Sequence, residues 1–183
     1  MNNKNKWLLI TLSFGSAGSL FWMAHHRYCH LNTKLDTTTT TPIVWSKEIS
    51  QATLEHSWAT WRDFYNTVKS VSREEFNKAI KQGEYKLLSI EEFLDLHVEN
   101  HRLNEYKNAK TAEEFYPLEN RPRGNTDINS VNYHLSLQSP ISPICVAKVM
   151  VNGTVRYIKL DGVHRLIAAS IRKSPIKVLF IDL

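Results

Sequence analysis

Five consecutive residues, Asp161-Gly162-Val163-His164-Arg165, bring together a carboxylate, a flexible turn position, an imidazole and a guanidinium. Their chemistry suits an anion. An arginine offers a bidentate fork to phosphate oxygens, and a histidine beside it adds another donor. Spacing supports the same idea. Thr154 to Leu160 is rich in β-branched and aromatic residues, as a strand requires, and Asp161-Gly162 supplies turn chemistry. Val163, Leu166, Ile167 and Ile171 then recur at helical spacing. His164 and Arg165 therefore fall in a first helical turn. A helix start carries partial positive charge and unpaired N–H groups, so cations are disfavoured there unless something negative sits among them. A phosphate satisfies both the cations and the backbone donors. The same spacing admits a plainer arrangement, in which Asp161 caps the helix and pairs with Arg165 four residues on, with no ligand at all.

Asp161-Gly162-Val163-His164-Arg165, followed by the small pair Ala168-Ala169, resembles the second conserved box of the ParB/sulfiredoxin-like domain. Further segments fit the resemblance. Ser142-Pro143-Ile144-Cys145-Val146 is similar to the strand before that family's hairpin, and Asn120-Arg121-Pro122-Arg123 to the start of its domain. Thr126 to Leu137 occupies the place of its first helix, and Ser174 to Phe180 that of its closing strand. The resemblance covers residues 85–183 and implies a small α+β domain with a mixed sheet. It also implies a nucleotide whose phosphates are contacted by Gly162, His164 and Arg165, with Arg123 brought in from the start of the domain. ATP or CTP with Mg²⁺ is the expected ligand.

Turnover would need a positioned base or nucleophile and usually Mg²⁺. Asp161 is the nearest carboxylate and the candidate for that role; the resemblance would add Asp127 and Glu119. Two departures narrow the field. Sulfiredoxins place their reactive cysteine immediately before the His-Arg pair, where this chain has Val163, so sulfinic-acid reductase chemistry is not expected. Partition proteins carry a helix-turn-helix after this domain, whereas the sequence here stops at Leu183. With a net charge of +5 but no run of basic residues, DNA binding or nuclease action is the less favoured partner class. A non-catalytic binding or scaffold module is the alternative to a nucleotide hydrolase or phosphotransferase.

The elements that must position this turn are legible in part. Cys145–Val151 and Thr154–Leu160 flank Asn152-Gly153, a strong hairpin signal, and Ile176–Ile181 reads as a last strand. From Val44 to Pro117 the chain reads helical, with a short strand over Tyr85–Leu88. Leu54, Trp58, Trp61, Tyr65 and Val68 alternate steps of four and three, making an apolar stripe suited to core packing or a short coiled-coil seam. Ser72 with Glu75, Ser89 with Glu92 and Thr111 with Glu114 read as capping boxes, and Gly83 as a helix stop. His97 and His101 would share a helix face. Glu99 is misplaced for a metalloprotease motif and no third ligand is evident, so they read as solvent-facing.

The expected organisation is a membrane anchor over 1–30, a linker over 31–43, a helical extension over 44–84 and the domain over 85–183. Trp7 to Ala24 is an uncharged run of 18 residues with Trp7 and Trp22 near its ends, as a single-pass helix with an aromatic belt would have. Ala17-Gly18-Ser19 would serve as the cleavage site of a signal peptide, making secretion the alternative to a membrane location. Thr37 to Thr41 and Pro42 have no helical period and form the tether. Cys29 and Cys145 are too few for a disulfide framework, and His25, His26, Cys29 and His30 read as juxtamembrane residues rather than a metal site.

Overall fold

Strands that are apolar at nearly every position need cover on both faces, and the sheet is built accordingly. A computed structural model describes residues 41–99, 103, 108–115 and 124–183. Among them β1 (Glu84–Leu88), β2 (Ile144–Val151), β3 (Thr154–Asp161) and β4 (Ile176–Asp182) form a mixed sheet in the order β1-β4-β2-β3. β2 pairs antiparallel with β3 and parallel with β4, and β1 closes the other edge antiparallel to β4. The fold is α+β, as the sequence implied. Asn152 and Gly153 adopt φ of 50° and 77°, the double left-handed conformation that a two-residue hairpin demands.

Alternation along the strands makes two cores. Ile144 and Val146 of β2 and Ile176 and Val178 of β4 face one side. They pack on Ile128, Val131 and Leu135 of α5 (Gly124–Ser136) and on Leu166 and Ile167 of α6 (Val163–Ile171). Cys145, Ala147, Val149, Leu179 and Ile181 face the other side, against Trp61 and Phe76. There the cover comes from α1 (Gln51–Thr60), a π-helical turn (Trp61–Tyr65) and α2 (Arg73–Gln82). Of the expected apolar stripe, Trp58, Trp61 and Tyr65 pack in the core, but Leu54 and Val68 are not part of it, and α1 buries Thr53 and Ser57 instead. The α-helix ends at Thr60, and the wider π turn carries the fully buried Trp61 inward, with Tyr65 stacked at 6.1 Å.

Capping explains where the remaining helices begin. Ser72 and Glu75 satisfy each other's backbone N–H at 2.7 and 3.2 Å ahead of α2. Ser89 and Glu92 do the same, at 2.7 and 3.1 Å, ahead of α3 (Ile90–Asp95). Before α4 (Ala112–Phe115) the device is altered: Thr111 caps Glu114, but the Glu114 carboxylate accepts from Lys110 N rather than from Thr111 N. Gly83 ends α2 for a different reason from the one its type suggested. Its φ of −65° suits any residue, but a Cβ there would lie 2.7 Å from the Phe180 carbonyl, where β1 meets β4.

Two helical expectations fail. Residues 43–46 are an extended strap, in which Ile43 N donates to Ser174 Oγ, while Ser46 N donates to the Ile141 carbonyl and Ile141 N to that of Val44. His97 is not on a helix face: α3 stops at Asp95 and His97 takes a left-handed φ of 50°. The following residues are drawn into the sheet, because Glu99 N donates to the Tyr157 carbonyl and Lys159 N to that of Glu99, covering part of the outer edge of β3. His101 lies outside the described residues. So do the run 7–24, the tether up to residue 40, Cys29 and its neighbouring histidines, and the segment 116–123. No described helix is long and apolar enough to cross a membrane.

Candidate functional site

The end of β3 is shaped by a bulge. Val146 faces Lys159 across the ladder, but Cys145 faces Asp161, so Leu160 and Asp161 together oppose one residue. A bulge of this kind re-aims a side chain. Lys159 stays on the α5–α6 side with Val146, whereas Asp161 turns toward the α1 side with Cys145. Without the extra residue, Asp161 would share its face with Ile144.

Gly162 follows with φ of 104° and opens α6 without a side-chain cap. A Cβ at this position would be strained in conformation and would meet Ile144 Cγ1 at 3.0 Å and Arg165 Nη2 at 3.2 Å. Asp161 does not cap α6 either. Its Oδ1 accepts from Gly162 N at 2.7 Å, which tightens the turn, and its Oδ2 accepts from Arg165 Nη2 at 2.7 Å. Arg165 Nη1 donates to Thr53 Oγ1 at 2.8 Å, a contact across 112 residues of sequence. The guanidinium is thus buried, with the Arg165 side chain 9% exposed and Asp161 20% exposed. His56, on the same face of α1 as Thr53, places Nε2 3.9 Å from Asp161 Oδ1.

His164 points the other way, to α5. Its Nε2 lies 3.0 Å from Asp127 Oδ1, with Asp127 13% exposed. Burial holds the imidazole below the usual histidine range; Asp127 and Asp161 pull it back up, and Lys159 pushes it further down. Lys159 is itself buried, and that burial lowers its ammonium; Asp161 works against the shift and Arg165 with it. Cys145 is held as an inert thiol, pushed up to about 12 chiefly by burial.

Of the residues the sequence singled out, Asp161, Gly162 and Arg165 meet on the α1 side, whereas His164 turns to α5, where Asp127 joins it. Arg123 and Glu119 lie outside the described residues. Thr53 and His56 carried no signal in sequence, being paired to the turn only through the fold. Lys159 did carry one: it interrupts an apolar run at a strand position that the sheet buries. Chemically, the cluster offers two carboxylates already engaged, a buried guanidinium fork, and a neutral-leaning imidazole beside a helix start. A groove of about 390 Å³ lined by Ser89, Leu94, Ser170 and Lys173 lies at the opposite, C-terminal end of α6. Comparison with known protein families, curated proteins and solved structures yields no match to this chain.

Proposed function

We propose that the N-terminus of α6 binds a phosphate-bearing ligand, with ATP or CTP and Mg²⁺ the first to test, in the manner the ParB/sulfiredoxin-like resemblance implies. The observation that carries the proposal is the start of α6, opened by a glycine that contributes no side-chain oxygen, with His164 in its first turn and the buried Lys159 two residues before that glycine's neighbour Asp161. A buried lysine, an imidazole able to donate and a positive helix end on one side of the sheet favour an anion between them. His164 is the ligand contact in this reading, and Arg165 joins it only by leaving Asp161. Both Asp161 oxygens accept hydrogen bonds within the turn, so the proposal is one of binding, with hydrolysis or phosphoryl transfer through Asp161 as its extension. Residues 7–24 are the proposed membrane anchor of the same protein, and fractionation of the full-length chain with membranes tests it.

A second reading is favoured by a specific contact set. Arg165 already donates to Thr53 and Asp161, as a clasp holding α1 to the α6 turn would. Such a clasp needs no ligand and fits a non-catalytic scaffold module. Thermal unfolding of the full-length chain with ATP, CTP, GTP and their diphosphates, with and without Mg²⁺, separates the two. A ligand that binds only the folded state adds about 2.7 kcal/mol of stability at a hundredfold excess over its Kd. A rise in Tm for one nucleotide, lost in His164→Ala, supports binding. No rise with any of them leaves the clasp.

A further inference from the structure

One end of the sheet gathers the strap and two exposed aliphatic side chains. β4 begins there at Ile176, opposite Leu88 of β1, and β2 begins beside it, with Ile144 opposite Val178. The strap is fastened across this end. Ile43 N donates to Ser174 Oγ at 2.8 Å, Trp45 Nε1 to the Pro175 carbonyl at 2.9 Å, and Lys177 Nζ to the carbonyls of Ser46 and Lys47, each at 2.8 Å. Val44 is 51% exposed, because Ile43 and Trp45 on either side of it take the core-facing positions. Leu87, the ladder partner of Lys177, is 63% exposed. Lys177 thus links the two places where apolar surface is left open. Charge at this end is mixed: Lys47 and Lys173 are exposed, and so are Glu48 and Glu91.

The other end of the sheet, at the Asn152-Gly153 turn, exposes Met150 and Val155, at 60% and 38%. Exposure alone therefore selects neither end. The course of the chain does. From Ile43 onward it is pinned to the strap end, so whatever precedes it attaches there. Sixteen residues, 25–40, separate the first described residue from the apolar run 7–24. A flexible chain of that length spans about 20–24 Å on average.

We infer that the strap end of the sheet rests on the lipid bilayer that the run 7–24 enters, with Val44 and Leu87 set into its interface. The inference rests on the membrane-anchor reading above. Two aliphatic side chains are too few to hold a free domain on a bilayer. A short tether makes the contact intramolecular, and a weak contact is then occupied at the high effective concentration that the tether imposes. Recognition of anionic headgroups takes clustered lysines or arginines, which this end lacks, so the contact is with the apolar part of the interface.

The test uses the full-length chain in phosphatidylcholine vesicles, with Cys29→Ser so that the remaining native thiol is the buried Cys145. A polarity-sensitive fluorophore is attached at Val44→Cys, Leu87→Cys, Met150→Cys or Val155→Cys, all exposed positions that spare the fold. Quenching by spin-labelled lipid should be roughly threefold stronger at 44 and 87 than at 150 and 155, and unchanged on adding phosphatidylglycerol. Equal quenching at the two ends, or quenching that needs phosphatidylglycerol, overturns the inference and leaves the anchor standing. Stronger quenching at 150 and 155 places the opposite end on the bilayer and overturns it as well. Protein that the vesicles do not retain overturns both readings.

Discussion

Two arginine–carboxylate pairs flank β3, and they differ in every respect except chemistry. Arg156 and Glu99 form a bidentate pair at 2.6 and 2.6 Å, joined across 57 residues, with side chains 35% and 37% exposed. Arg165 and Asp161 make a single contact at 2.7 Å, four residues apart, with side chains 9% and 20% exposed. By geometry alone the first pair is the better one. By consequence the second dominates, because water replaces a lost partner at an exposed site and cannot do so at a buried one. Surroundings decide, and the surroundings of Arg165 are complete: Thr53 takes Nη1, and Gly162 N occupies the other oxygen of Asp161. Such completeness suits either a clasp or a preorganised site, and the predictions separate these roles by size.

The largest effect belongs to Arg165→Ala. It leaves Thr53 and Asp161 without their shared partner, and about 3–5 kcal/mol of stability should be lost in urea unfolding. Arg165→Met keeps the stem and should recover part of that. A loss under 1 kcal/mol would place the buried pair in the same class as the exposed one and undo the comparison. Gly162→Ala comes next, at about 1–3 kcal/mol, because the backbone is left-handed and the new methyl meets Ile144 and Arg165. Retained stability in that variant would mean that the turn relaxes, and a relaxed turn would no longer aim Arg165.

What the sequence disclosed and concealed follows the same division between local and long-range causes. Asn152-Gly153, the Ser72 and Ser89 boxes and the strand–turn–helix over Asp161–Arg165 are set by neighbours within four residues, and each is legible. The Asp161–Arg165 pair is legible for that reason. Its third member is not, since Thr53 reaches Arg165 only after α1 has packed on β3. The bulge at Leu160 was also hidden, and it decides which face Asp161 addresses. Glu99 misled because its surroundings continue an apolar helical spacing, whereas the edge of β3 takes its backbone instead. Asp127 was reachable only through the family resemblance, as nothing local ties it to His164.

A smaller effect is expected from Arg156→Ala, about 0.2–1 kcal/mol for a pair this exposed. Glu99 holds its place through two backbone hydrogen bonds to β3 that the substitution leaves intact. Urea unfolding of this variant beside Arg165→Ala gives the comparison its scale. A loss near that of Arg165→Ala would mean that the Glu99 segment depends on its side chain, and that the edge of β3 opens without it.

The smallest effect is a slope with pH rather than a step, and it sets His164 against Glu99. Burial holds folded His164 below the ordinary value of 6.5, so on acidification the unfolded chain takes up this proton first. Its contribution is therefore full above about 6.5 and is lost as pH falls from there to the lower folded value. Glu99 behaves later in the titration: Arg156 holds it below 4.5, so its contribution is full above that pH and disappears as pH falls through the folded value. Between pH 7.5 and 5 only the first of these groups should act. The stability difference between the wild type and His164→Asn should then shrink on acidification across that window, while the difference for Glu99→Gln stays level. The opposite slope for His164, with stability gained on acidification, would mean that the ion pair with Asp127 outweighs burial. The imidazole would then be a standing cation at the head of α6, and the case for an anion there would be stronger than the neutral ring allows.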